Sequence, residues 1–429
     1  MAWEQWLAVV ALLLAVVALI AGALAWRAVR PARAGTRRPG TAGDGAAEEA
    51  TEDQPADEEP PGPPAVVLNP SKVRDVEGLR DLVNQTAGEV GLAEPLWFET
   101  TVEDPGLGQA REALAAGASL VIAAGGDGTV RAVAEALAGS EVPMGLVPLG
   151  TGNLLARNLE IPLGSQREMV STALTGRDRP IDMGWLRTEP LSAEDEAKVA
   201  GRADASTAKS ADATGSGAAA EGRYLDSALP EDEEELRAHA AETPQVPVED
   251  PDKEHVFLVI GGLGFDAAMV AGADDELKAR IGWLAYFLAG VKHLTGRKIR
   301  ATVELGGSGP GDTITARTIL FANVGRLPGG VVLFPDAQLD DGWLDVAAID
   351  TRGGLIGWAD LLRKVVLQGI GVRRDLVPYA TGTIEFRRSQ EVVVRTEEPE
   401  HVQVDGDLIG YARVVRARVE ERALVVRTA

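Results

Sequence analysis

Residues 119–130 read SLVIAAGGDGTV: a short apolar run, a glycine turn around a single aspartate, and the opening of a helix. Working outward, the same grammar repeats. AVVLNP (65–70), PLWFET (95–100) and PMGLVPLGTGN (143–153) are short β-prone runs, separated by helical stretches near 76–90, 107–117 and 129–139. Short Val/Leu/Ile runs alternating with amphipathic segments predict a mostly parallel sheet covered by helices. Ligands of such sheets bind at the carboxyl ends of the strands. Three punctuation points fall there: Asn69-Pro70, Gly125 to Thr129, and Gly150 to Asn153.

The glycines at 125, 126 and 128 let the backbone approach a ligand with no Cβ in the way. A helix opening at Thr129 aims free N–H groups at the same place, which suits a phosphate. Asp127 among them suits Mg²⁺ bridging nucleotide phosphates, since magnesium prefers carboxylate and phosphate oxygens. The same residues also suit a plain glycine turn with Asp127 as a helix cap. The pattern is neither a Walker A loop nor a G-x-G-x-x-G fingerprint.

Composition removes several classes. The 429-residue chain has no cysteine, which excludes disulfides, thiolate zinc sites and cysteine nucleophiles. Its four histidines are scattered, which argues against a histidine metal cluster. The net charge of -23 argues against nucleic acid as a partner.

Residues 7–26, LAVVALLLAVVALIAGALAW, carry no charge and are long enough to span a bilayer core. Trp3, Trp6 and Trp26 flank the run, and Arg27, Arg30, Arg33, Arg37 and Arg38 follow it. By the positive-inside rule the chain after the span is cytoplasmic. The expectation is a single-pass anchor in the cell membrane over 1–30, then a disordered acidic linker over 31–64. A second acidic, low-complexity stretch over 189–255 reads as a disordered insert. RPIDMGWL before it and HVFLVIGGLGF after it read as strands that pair across it.

Beyond the insert, KIRATVEL, TITARTILFANVG, WLDVAAI, GTIEFRR and EVVVRT read as strands, with helical stretches near 274–295 and 355–370. This mainly antiparallel pattern predicts a sandwich-like second domain over 256–429, after the α/β domain over 65–188.

NP at 69–70, GGDGT at 125–129 and PLGTGN at 148–153, in this order, resemble the diacylglycerol kinase catalytic domain family. That family includes bacterial lipid kinases, sphingosine kinases and ceramide kinases. GGDGT is also shared with NAD kinases and resembles a phosphofructokinase motif. The resemblance implies a Rossmann-like first domain, a β-sandwich-like second domain, a cleft between them, and final strands that return to the first domain. ARVVRARVEERALVVRTA at the C-terminus suits that return.

For ATP, the resemblance implicates Asn69, Gly125, Gly126, Asp127, Gly128, Thr129 and Thr151, with a threonine ending the second strand. Thr100 and Thr101 both compete for that last place, and Thr101 is chosen. Lys72 stands where a phosphate contact would fit. In VQVDGDLIG (402–410), Asp407 replaces the family's usual glutamate as the proton acceptor; an ordinary Asp-Gly hairpin turn reads the same way. In QLDDGWLD (338–345), Asp341 with the main-chain carbonyls of Gln338 and Trp343 would hold a structural Mg²⁺, or form only a turn.

The implied activity is an ATP- and Mg²⁺-dependent lipid kinase, with diacylglycerol converted to phosphatidic acid. A sphingoid base or ceramide as acceptor, an NAD kinase, and a non-catalytic lipid- or nucleotide-binding protein are the alternatives. Trp283, Tyr286 and Phe287 are candidates for the acceptor wall and equally for ordinary core. Dimers are common in the family.

Overall fold

The computed structural model describes residues 62–201, 250, 253–264, 298–307, 311–327, 331–351 and 382–429. The expected membrane span at 7–26, most of the linker, the acidic stretch from 202 to 249 and the stretches 274–295 and 355–370 lie outside them. Among the described residues no helix is long and apolar enough to cross a membrane.

The first half alternates as read: β1 (Pro64–Leu68), α1 (Val76–Glu89), β2 (Leu96–Glu99), α2 (Leu107–Ala115), β3 (Leu120–Gly125), α3 (Asp127–Leu137) and β4 (Met144–Pro148). β1 pairs in parallel with both β2 and β3, and β3 with β4. β1, β3 and β4 are buried throughout, as parallel strands covered on both faces must be. Their side chains divide by period two. Val67, Val121 and Ala123 pack with Val130 and Val133 of α3, while Val66, Leu68 and Ile122 pack with Leu79 and Val83 of α1.

Two short helices follow, α4 (Leu154–Asn158) and α5 (Gln166–Thr175). Ser165 caps α5 through the N–H of Glu168, an arrangement of capping-box type. The chain then enters β5 (Arg177–Thr188), β6 (His255–Phe257) and β7 (Ile260–Leu263). β5 and β6 pair antiparallel across the insert, Gly184 opposite Phe257.

HVFLVIGGLGF is not one strand. It breaks at Leu258-Val259, because the N–H groups of Leu258, Val259 and Ile260 all donate to the Asp405 carboxylate at 2.8–2.9 Å. The insert also begins later than its composition suggested. Residues 193–201 are helical, and buried Asp195 pairs with Arg413 at 3.0 Å, so charge here anchors the chain rather than solvating it. At its other end Lys253, Glu254 and His255 are described residues, and Glu254 pairs with Arg418 at 2.8 Å.

The second half adds β8 (Ile299–Leu305), β9 (Asp312–Ala316), β10 (Thr318–Ala322), β11 (Arg326–Leu327), β12 (Val331–Val332), β13 (Leu344–Thr351), β14 (Gly382–Ser389), β15 (Glu391–Val404) and β16 (Asp407–Thr428). Its pairs are antiparallel, as predicted. The two halves, however, share one hydrogen-bonded sheet in the order β14-β13-β10-β7-β15-β16-β4-β3-β1-β2. The 22-residue β16 makes the junction. It lies against β15 early, runs antiparallel to β5, and reaches β4 in parallel at Val426 opposite Met144. Its change of partner is marked by a register shift between Glu420 and Leu424 and by Arg422 at φ 51°. The Arg422 N–H there donates to buried Asp182 at 2.8 Å.

Candidate functional site

The site grows from two glycine turns at neighbouring strand ends. α3 begins at Asp127, two residues earlier than the sequence suggested, because Asp127 takes the first helical position with Gly126 as the cap. A Cβ on Gly125 would lie 2.6 Å from the Cβ of Thr129, and one on Gly150 2.8 Å from the Cα of Gly126. The two turns therefore touch backbone to backbone, and only glycine permits it.

Asp127 locks them. Its Oδ1 accepts the N–H of Leu154 at 2.6 Å and its Oδ2 that of Asn153 at 2.9 Å. Asn153 is held in the left-handed region at φ 47°, and its Oδ1 accepts the N–H of Gly150 at 3.0 Å. Burial raises the Asp127 carboxyl above its ordinary value; the two N–H groups oppose the rise and the Asp407 charge adds to it. Asp127 is thus both the helix-terminal acid and a carboxylate that feels the second half.

Asn69 joins the same rim, donating from Nδ2 to Thr129 Oγ1 at 3.4 Å while its Oδ1 accepts from Ser71. Thr151 is exposed on the second turn. Thr101 is not drawn into this cluster. It is exposed, and its Oγ1 accepts the N–H of Asp104 at 3.1 Å; the buried neighbour Thr100 directly follows β2, donating its N–H to Leu68 O at 2.9 Å. Lys72 closes the short turn after Asn69.

Asp407 approaches from the other half. The hairpin between β15 and β16 turns through Asp405 at φ 49° and Gly406 at φ 94°, with Val404 opposite Asp407. The segment is a hairpin turn, and the turn brings its last aspartate to α3. Arg131 of α3 meets it: Nη2 lies 2.5 Å from Asp407 Oδ2, and Nη1 donates to Val404 O at 2.8 Å. Asp405 fastens the hairpin to the β6–β7 break, and burial raises its carboxyl despite the nearby Arg131 charge and its three N–H donors.

A groove of about 450 Å³ opens beside these groups, lined by Arg111, Gly128, Arg131, His255, Val404 and Ile409 among others. Burial lowers the His255 pKa, with the Lys253 and Arg131 charges acting in the same direction. Arg131 and Asp405 escaped the sequence reading. Arg131 stands one helical turn after Asp127, which places both on one face and was a readable signal; nothing local marked Asp405.

The ligand set implied for a structural Mg²⁺ does not fit. Arg388 Nη2 is in contact with Asp341 Oδ2, Arg388 Nε lies 3.3 Å from Asp345 Oδ2, and Asp341 Oδ1 accepts the Trp343 N–H at 3.2 Å. A magnesium held by Asp341 at about 2.0–2.1 Å would have to displace that guanidinium. Gln338 and Trp343 flank a turn whose Gly342 N–H donates to Asp182 at 2.7 Å. Among the described residues no group of three or more His, Cys, Asp or Glu is arranged to hold a metal.

A parallel α/β half ending in paired glycine turns, faced by an antiparallel half that presents an acid, defines a two-half phosphate-handling protein. The chain belongs to the diacylglycerol kinase catalytic domain family: residues 66–186 match that domain, and 260–428 match the YegS C-terminal NAD kinase beta sandwich-like domain. A "Probable lipid kinase YegS-like" protein of Pseudomonas putida is 28% identical over 251 residues, covering 57% of this chain and 61% of that one. An uncharacterized Synechocystis protein is 26% identical over 297 residues, 68% of this chain and 51% of the other. A Mycobacterium tuberculosis diacylglycerol kinase is 34% identical over 77 residues, 18% of this chain and 25% of that enzyme. The first relatives are thus matched over half to three fifths of their length. A crystal structure of a diacylglycerol kinase from Bacillus anthracis str. Sterne shares the fold, with a TM-score of 0.55 at 15% identity over 86% of this chain and 97% of that one.

Proposed function

We propose that the protein is a membrane-anchored lipid kinase, which transfers the γ-phosphoryl group of ATP–Mg²⁺ to a lipid hydroxyl, most simply diacylglycerol to phosphatidic acid. The phosphates lie on the N-terminus of α3, whose first-turn N–H groups have no partner within the helix and where helix polarity favours negative charge. Asp127 would hold the nucleotide's own magnesium, whose charge would offset that of the phosphates, and Asn69 and Thr129 shape the rim. The acceptor oxygen attacks the γ-phosphorus, the bond to the β-phosphate oxygen breaks, and ADP leaves. Asp407 takes the hydroxyl proton. Catalysis is positioning and charge stabilisation, so the acid must stand beside the phosphate loop.

The observation that carries this reading is the meeting of Asp407, from the far half of the chain, with α3 through Arg131 at 2.5 Å. The 7–26 span and the basic residues behind it would keep the site at the cytoplasmic face, where a two-chain lipid resides. The test is transfer of labelled γ-phosphate from ATP–Mg²⁺ in mixed micelles containing diacylglycerol, sphingosine or ceramide, with NAD as the soluble control. Transfer to diacylglycerol, lost in Asp127→Ala, is the expected result. Transfer to NAD alone would replace the lipid reading, and ATP binding without any transfer would leave a binding protein.

A further inference from the structure

We infer that Arg131 is a positioning residue, which aims the Asp407 carboxylate and couples it to the phosphate helix. The inference rests on the kinase reading for its catalytic meaning. It rests on geometry alone for the latch itself.

Asp407 stands where the family places glutamate, so its carboxylate reaches about 1.5 Å less far from the backbone. It is the first strand residue after the hairpin turn, with its side chain 62% exposed. An exposed aspartate beside a two-residue turn has several open rotamers and little packing to choose among them. Arg131 supplies the choice. Its side chain is only 20% exposed and emerges from α3, whose Val130, Val133 and Ala134 are built into the core.

The guanidinium is fixed at two points: Nη1 on the Val404 carbonyl at 2.8 Å and Nη2 on Asp407 Oδ2 at 2.5 Å. One contact holds the backbone at the entry to the turn and the other holds the side chain at its exit. A planar fork holds both acceptors in one fixed geometry, whereas an ammonium group on a flexible stem does not fix their relative positions. The hairpin's other fastening, Asp405 on the N–H groups of Leu258, Val259 and Ile260, stays within the β-half. Arg131 is the contact that refers the acid to the glycine loops. It leaves the same helix one turn after Asp127, so any shift of the phosphate loop is passed to the acid.

The test is a double-mutant cycle of Arg131→Met and Asp407→Glu on the full chain, with Arg131→Lys alongside. The catalytic readout is kcat and KM for ATP; hydrogen exchange of the 402–409 segment and the thermal midpoint are the structural readouts. Arg131→Met should lower kcat about 10²-fold, the size of a 1 Å misplacement, with KM for ATP within about twofold. Arg131→Lys should recover only part, and exchange at 402–409 should rise at an unchanged midpoint. In the Asp407→Glu background, where the longer side chain reaches unaided, the Arg131→Met loss should shrink.

Multiplicative effects of the two substitutions, or a kcat and an exchange rate both unmoved by Arg131→Met, overturn the inference. If the unmodified protein phosphorylates no acceptor while Arg131→Met still speeds exchange at 402–409, the kinase reading fails and the latch stands.

Discussion

Asp127 Oδ1 accepts the backbone N–H of Leu154 at 2.6 Å, so the acid of the first glycine turn caps the helix that follows the second. One carboxylate is shared between holding the rim together and facing whatever the rim holds. Its substitution therefore has a structural and a chemical consequence that can be separated.

Asp127→Ala frees the N–H groups of both Asn153 and Leu154. Charge-assisted bonds of this kind are worth about 1.5–3 kcal/mol, and partial exposure places the expected loss at the low end. Urea unfolding should show that loss, while phosphate transfer falls to background. A variant with full stability and no transfer would mean that Asp127 acts on ligand alone.

The pH dependence has a defined sign. Burial raises the Asp127 carboxyl above its ordinary 3.8 in the folded protein, so the native state holds its proton more tightly than the unfolded chain. Stability contributed by this group is fully present below 3.8 and is lost as pH rises through the folded value. The stability of the unmodified protein minus that of Asp127→Asn should accordingly decrease from acid toward neutral pH. An increase over that range would contradict the burial argument.

Asp407→Asn keeps the shape and removes the proposed proton acceptor. Transfer should fall about 10²–10⁴-fold. Because the aspartate is exposed, unfolding free energy should change by less than about 1 kcal/mol. Retained transfer would take the base role away from Asp407 without touching the fold.

Gly150→Ala tests the close approach of the two turns. The added carbon would sit 2.8 Å from the Cα of Gly126, a backbone atom that cannot rotate aside. The expected cost is about 1–3 kcal/mol, with weakened ATP binding measured by titration calorimetry. Wild-type affinity would show that the turns separate freely.

Arg388 stands on Asp341 and Asp345, where resemblance implied a metal. The thermal midpoint should be the same with EDTA as with millimolar Mg²⁺ in the absence of nucleotide. Arg388→Gln should lose about 1–3 kcal/mol, since buried Asp345 and partly buried Asp341 are then left without that cation. An EDTA-sensitive midpoint in the unmodified protein would restore the metal.

The parallel half was legible because its signals are local. Apolar runs of strand length and glycines at strand ends each act within a few residues. The Asp405-Gly406 turn was legible for the same reason. The break at Leu258-Val259 was not, because its cause is a carboxylate 145–147 residues away that captures three N–H groups. The early insert misled in the opposite sense: its acids looked like solvated charge, and Glu189 and Asp195 in fact pair with Arg416 and Arg413 of β16.

What the sequence determined by itself was the set of backbone geometries: which runs extend, where glycine must turn, and which acids stand on turns. Those follow from steric limits on neighbouring residues. Tertiary structure decided which of those acids meet residues from the other half. Asp407 and Arg131 are 276 residues apart, and among the described residues it is the path of β16, from the Asp407 turn to its pairing with β4, that ties the two halves into one sheet. A contact of that span has no local signature, because its stability comes from a sheet that exists only once both halves have folded.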